Sequence, residues 1–269
     1  MIPIRDSPAT VPNEQLARTT PQTGQSNVAW LRSGRLRQGV LLLGGASTTD
    51  FRLRVAQSGL RSDLSPSYWS MCGLLIDGAG TFLTVPLQLG DIETVPTTNA
   101  VRRCSLDDFD DPVAWPNIAI LRFTREMGDV ERFARLVGVR RTIVDLPALV
   151  LEWLRYAWLV TGADNPLLGG MGIPGAVFVE TAHALAGVEL TPGLASAASC
   201  PEAIWQAVKW WQDYYREAAA VEGGGGARPV VPHGRFAVRQ RYAQIVETST
   251  GTQPAATPGG PRRSTRKRA

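Results

Sequence analysis

Histidine and cysteine are scarce in this 269-residue chain, which holds two of the first and three of the second. His183 and His233 lie far from one another. Cys72, Cys104 and Cys200 are odd in number and scattered, with none of the close pairings that zinc sites or redox motifs need. No metal, cofactor or disulfide framework is therefore expected, and unpaired thiols fit a reducing, cytoplasmic compartment. Long apolar runs are also missing. The richest, Ala148 to Val160, is broken by Glu152 and Arg155, falls short of the ~20 residues a spanning helix requires, and reads as a buried helix. The opening MIPIRDSPATVPNEQ lacks the basic start, apolar h-region and cleavage site of a secretory leader. Neither membrane insertion nor secretion is expected.

Net charge is absent from the middle of the chain. The formal net charge is +4. Arg5 and Arg18 offset Asp6 and Glu14 in residues 1–29. Residues 247–269 carry Arg262, Arg263, Arg266, Lys267 and Arg268 against Glu247 alone, which leaves residues 30–246 neutral. The basic residues are almost all Arg, which reflects genome composition as readily as a preference for phosphate.

What is present is a core. Hydrophobic residues make up 44% of the chain and eight Trp run from Trp30 to Trp211, too much apolar surface for a disordered protein. Residues 1–29 and 247–269 are rich in Pro, Ser, Thr and Gln without apolar periodicity and are expected to be disordered arms around a single domain over 30–246. Within it, Gln38–Leu43, Phe51–Gln57, Met71–Ile76, Thr81–Leu87 and Asn117–Phe123 read as strands, with Asp77-Gly78-Ala79-Gly80 as a hairpin turn. Met127–Val137 reads as a short helix. A second is capped by Asp145 and runs to about Thr161, and a third opens at Pro174 and ends near Gly187. Ser199-Cys200-Pro201-Glu202 reads as a capping box for a last helix carrying Ile204, Val208, Trp211 and Tyr215 at helical spacing. Gly223–Gly226 is a hinge, after which Arg235–Val246 alternates like a strand returning to the sheet. The expected class is α+β: a β-rich N-terminal half, mostly antiparallel, packed against a helical C-terminal half.

Chemistry-bearing motifs are few. Gly170-Met171-Gly172-Ile173-Pro174-Gly175 matches GxGxxG before a helix, with Glu189 downstream, but TGADNP precedes it where a dinucleotide site needs a strand. A Gly-rich helix–helix connection is the reading preferred. Leu43-Gly44-Gly45-Ala46-Ser47 lacks the ending of a P-loop. Cys200 at a helix start would have its thiol pKa lowered by the dipole, but no histidine is near in sequence to act as base. Asp107-Asp108-Phe109-Asp110-Asp111 offers oxygen ligands without the Gly-centred loop and distal Glu of an EF-hand, and reads as a solvated turn. Gly73–Gly78, Leu83-Thr84 and Asn117–Leu121 resemble strand phrases of trypsin-like proteases. The catalytic His and Ser phrases are missing, so the likeness is one of hairpin grammar.

Two features point to partners. Trp205, Trp210, Trp211, Tyr214 and Tyr215 go around more than one face of the last helix. Most of this is core, while Trp205, Trp210 and Tyr214 are the candidate contacts for a protein partner or a second copy. The five positive residues between Arg262 and Arg268 form a polyanion-binding element.

Ser7-Pro8-Ala9 through Ser26, and Gln253-Pro254-Ala255-Ala256 through Ala269, resemble in composition the proline-alanine-serine-rich proteins that coat the genomes of capsidless double-stranded RNA mycoviruses. The resemblance implies cooperative, sequence-independent binding along RNA; the neutral core departs from it. The function expected is thus a non-catalytic, nucleic-acid-associated structural protein with a self-associating core. The alternatives are a protein-interaction subunit of an intracellular complex, or an enzyme with an unfamiliar site at Cys200 or the Gly170–Gly175 loop.

Overall fold

The computed structural model describes residues 24–34, 36–87, 96–123, 126–221 and 233–240. Among these, six strands form one antiparallel sheet: β1 (Gly39–Gly44), β2 (Met71–Leu75), β3 (Thr81–Thr84), β4 (Arg102–Ser105), β5 (Asn117–Arg122) and β6 (His233–Val238), in the order β4-β3-β2-β1-β5-β6. The helices are α1 (Asn27–Ser33), α2 (Thr48–Ala56), α3 (Gly128–Val139), α4 (Leu146–Ala157), α5 (Pro174–Leu185) and α6 (Pro201–Val221). The architecture is α+β, with the sheet drawn mainly from the N-terminal half, α3 to α6 from the C-terminal part, and a late strand joining the sheet beside β5.

The pleat of β1 explains the layering. Val40 and Leu42 point into the larger core, shared with Val130 and Val137 of α3, Val177 and Phe178 of α5, and Trp205 and Val208 of α6. Leu41 and Leu43 point to the opposite face, where Val28, Trp30 and Leu31 of α1 and the 3-10 turn Leu106–Phe109 cover the sheet. Successive strand side chains face opposite sides, so a continuous apolar run with both faces covered is what a central strand requires. A smaller third cluster joins Leu53 of α2, Trp153 and Leu154 of α4, and Cys200 and Ala203 at the start of α6.

Several elements differ from the sequence reading. Phe51–Gln57 is not a strand. It forms most of α2, nucleated by a capping box in which the Ser47 hydroxyl accepts the Asp50 N–H at 3.1 Å and Asp50 returns a bond to the Ser47 backbone. The Ser199–Glu202 capping box does not form either: the Ser199 hydroxyl donates to Glu180 at 3.2 Å and the Glu202 carboxylate is taken by Arg61 and Ser67. Residues 26–29, placed by the sequence reading in the N-terminal arm, take part in α1: Ser26 caps it and Asn27 and Val28 are buried. Finally, α4 stops at Ala157 rather than near Thr161. The N–H of Leu159 bonds to the Tyr156 carbonyl and that of Val160 to the Arg155 carbonyl, closing the helix with Leu159 at φ 55°.

The hairpin turn is as expected: Asp77 Oδ1 accepts the N–H groups of Ala79, Gly80 and Thr81 at 3.0, 2.9 and 2.8 Å. The expected hinge at Gly223–Gly226 and the far end of the returning strand, residues 241–246, lie outside the described residues. Among the described residues no helix is long and apolar enough to cross a membrane.

Candidate functional site

The strongest concentration of polar groups lies inside the protein, where α2, the segment 61–70 and the start of α6 converge. Arg54 is fully buried. Its Nε donates to the Ser67 carbonyl at 2.7 Å and Nη1 to Gln240 Oε1 at 3.0 Å. Burial lowers its pKa to about 10, which leaves it a cation at neutral pH. Arg61 pairs with Glu202 at 3.3 Å and with Asp63 at 3.1 Å. Glu202 also accepts from Ser67 at 2.6 Å and from Gln206 at 2.5 Å. Buried charges are tolerable only when paired and hydrogen-bonded, and these are. The arrangement ties α2 and α6 together through the segment 61–70.

A cavity beside this network is lined by Asp50, Ser70, Cys72, Pro86 and Ile173 among others, with a volume of about 20 Å³. That is room for about one water. Asp50 accepts from Ser47 Oγ at 2.5 Å and Ser70 Oγ at 2.6 Å, and burial raises its pKa. The Leu43–Ser47 segment does lead from a strand through glycines into a helix, as a phosphate loop would. Here Asp50 itself occupies the helix N-terminus, where a bound anion would sit.

The remaining candidates resolve into structural roles. The GxGxxG segment has a 3-10 turn, Pro166–Gly169, where a nucleotide site needs a strand. Gly170 takes φ 75° to end that turn, Gly172 lies against the Ser199 backbone, and Gly175 lets α5 approach the Cys72 carbonyl of β2. The Gly172 carbonyl accepts Trp153 Nε1–H at 2.7 Å. The helix–helix connection is thus what these glycines build. Cys200 is fully buried, and burial drives its thiol up to about 12, opposite to the lowering expected from the helix terminus. His183 is buried on α5, its Nδ1–H donating to the Val179 carbonyl at 2.8 Å, and burial lowers its pKa to about 4. His233 pairs with Arg122 as the first residue of β6. In the acidic cluster, Asp107 forms an ion pair with Arg32 at 2.6 Å and Asp108 caps the Ser105 N–H at 3.1 Å. Among the described residues no three His, Cys, Asp or Glu side chains converge as metal ligands.

The partner-contact candidates separate. Trp205 is fully buried, with its ring edge-on to Trp69 at 5.2 Å and to Phe236 at 5.1 Å, so it locks α6 to the sheet and has no face to offer a partner. The expectation for Trp205 is corrected accordingly: its spacing from Val208 places it on the core side. Trp210 and Tyr214 lie one turn apart on the other side, stacked at 5.4 Å and 17°, with Tyr214 51% exposed. Trp211 is half-buried against the main core. The Tyr215 side chain and the basic residues Arg262, Arg263, Arg266, Lys267 and Arg268 lie outside the described residues.

Sequence reading missed a second surface. The apolar run of α4 is not all buried: Leu151, Trp158, Leu159 and Val160 are 63, 55, 70 and 45% exposed. Composition does not say which side of a helix lacks a neighbour; the 3.6-residue period places Leu151 and Trp158 together and opposite Trp153, with Leu154 between the two sides.

No family model, no curated protein and no solved structure matches the chain, so any functional reading rests on its own surfaces.

Proposed function

We propose that the chain is a non-catalytic structural protein of a nucleic-acid assembly: the α+β body associates with itself, and the arginine-rich tail holds the phosphates of RNA without regard to sequence. One observation carries the reading, namely that the whole net charge of +4 resides in residues 247–269 while residues 30–246 are neutral. On the body, Arg132, Arg135, Arg141 and Arg155 each pair with a carboxylate three or four residues away, which leaves less of the surface field for a polyanion. A neutral, self-associating body with a cationic arm suits a coat that follows a nucleic acid. The cytoplasm is the compartment proposed.

The test is RNA binding by the full chain and by a chain ending at residue 260. Five neutralised phosphates give the full chain an affinity for single strands that falls about one hundred-fold between 50 and 200 mM salt. Truncation is expected to abolish most of the binding and its salt dependence. Equal binding by both chains overturns the proposal.

A second reading, a protein-interaction subunit, is favoured by the Trp210–Tyr214 stack, half-buried at Trp210 and exposed at Tyr214, because stacked aromatics at a surface give large contact area at low entropy cost. Stoichiometric purification with one defined protein and no nucleic acid, lost in a Trp210→Ala/Tyr214→Ala variant, would establish it instead.

A further inference from the structure

The outer side of α4 carries Ala148, Leu151, Arg155 and Trp158, all exposed and spaced by three and four residues, while Trp153, Leu154 and Ala157 face inward. The apolar surface continues past the helix end through Leu159 and Val160. Leu168, 85% exposed, lies on the 3-10 turn that packs against α4. Leu159 heightens the contrast. At φ 55° it occupies the position that closes a helix and is normally given to glycine, so a large apolar side chain is held exposed on a backbone unfavourable to it.

We propose that this face is the contact between two copies of the chain, with the two α4 helices antiparallel about a two-fold axis level with Trp153. The proposal rests on the self-association in the function proposed above and names its surface. A two-fold contact must be complementary to itself, and the α4 stripe is. Its four positions are symmetric about residue 153, so Ala148 of one copy faces Trp158 of the other, a small side chain opposite a large one, and Leu151 faces Arg155. The charge pattern repeats the symmetry. Glu152 and Arg155 pair within one copy at 2.8 Å. In the antiparallel pair each Arg155 comes level with Leu151 and Glu152 of the other copy, so its aliphatic stem covers the leucine while its guanidinium meets the carboxylate. The exposed apolar side chains supply on the order of 500 Å² per copy and about 1,000 Å² for the pair, the threshold for a specific interface.

The experiment is the mass of the full chain in solution, by light scattering after size exclusion and by sedimentation across a range of concentrations. The wild type is expected to be a dimer or a larger assembly built from it. Leu151→Glu/Trp158→Glu, substitutions at exposed positions, is expected to weaken the dimer by more than about thirty-fold while leaving the circular dichroism unchanged. Charge variants make the test independent of that one. Glu152→Arg alone and Arg155→Glu alone each place like charges across the seam and are expected to be monomers, and their mixture is expected to restore the dimer. A wild-type oligomer indifferent to all these changes overturns the α4 interface and spares self-association. A wild-type monomer at every concentration overturns both, including where another part of the chain covers α4. RNA binding by the tail is read separately from either.

Discussion

Gln57 caps α6 from across the molecule: its Oε1 accepts the Glu202 N–H at 2.8 Å, while its Nε2 donates to the carbonyls of Leu53 and Trp69, each at 2.8 Å. Both residues are buried, so a helix terminus that would otherwise leave unpaired donors in the interior is completed by the end of α2. Gln57→Ala is therefore expected to cost about 2–4 kcal/mol, since it strands a buried donor and a buried acceptor as well as leaving a cavity. Ser199→Ala, at the position that sequence spacing assigns to the cap, is expected to cost only about 1 kcal/mol. Urea unfolding of the two variants measures the difference, and a larger loss for Ser199→Ala would show that the cap lies where the sequence spacing puts it.

Glu202 has a second role as the anion of the buried network. Removing one member of a buried ion pair leaves the other uncompensated, so Glu202→Leu is expected to destabilise by about 3–5 kcal/mol. Adding Arg61→Met to that variant is expected to recover part of the loss, with a coupling of about 1–3 kcal/mol, because no stranded cation then remains. The double-mutant cycle in urea checks this. Independent, additive effects would mean that Asp63 alone satisfies Arg61.

The β2–β3 hairpin, the central strands and the late strand are visible in the chain, and the elements that are not have physical causes. Phe51, Leu53 and Val55 alternate with Arg52 and Arg54 as a strand would, yet Arg54 is buried beside Leu53 while Val55 is exposed. A cation buried against backbone carbonyls inverts the pattern on which period-two reading depends. β4, of sequence RRCS, has no apolar alternation and is, among the described residues, an edge strand with one neighbour. α1 is short and begins among polar residues, so only Trp30 marked it. In contrast, α6 was legible from Pro201 and the spacing of Ile204, Val208 and Trp211, because its inward face meets a large core. Of the candidate contacts, the division of Trp205 from Trp210 and Tyr214 was contained in the helical period; the outward face of α4 needed the fold to show which side goes uncovered.

Leu159 stores backbone strain where α4 ends. A left-handed conformation costs a branched residue about 1–2 kcal/mol relative to glycine. Leu159→Gly, measured at protein concentrations low enough to keep the chain dispersed, is expected to raise stability by about 1 kcal/mol and the melting temperature by about 2–4 °C. A loss of stability in the dispersed protein would mean that the leucine side chain packs within its own copy.

All three thiols are buried, and burial raises Cys200 to about 12, Cys104 to about 11 and Cys72 well above its ordinary value. Thiolate is the reactive form, so the native protein is expected to resist a thiol reagent at neutral pH, and all three cysteines to react together once it is unfolded. Fast, selective modification of Cys200 in the folded chain would restore the case for a nucleophile at the start of α6.

His183 gives the fold a sensitivity to acid with a definite window. Burial, outweighing the bond to Val179, depresses its pKa to about 4, and its buried Nε2 has no hydrogen-bond partner among the described residues. In the unfolded chain the ring titrates near 6.5. Between those values the unfolded state takes up a proton that the folded state refuses. The histidine therefore costs nothing above the upper value, and stability is lost as pH falls toward the lower one, by about 3 kcal/mol in all. Asp50 and Glu180 act in the opposite sense, because burial raises both carboxyls and protonating them in the folded state favours the fold as pH drops. His183→Leu removes only the histidine contribution, and it deletes an unpartnered polar atom without opening a large cavity. Between pH 7 and pH 4, the unfolding free energy of the wild type is expected to fall relative to that of His183→Leu by about 3 kcal/mol, read as the gap between two urea titration series. A gap that stays constant with pH would mean that the ring accepts its proton inside the folded protein, and that the interior around α5 admits water.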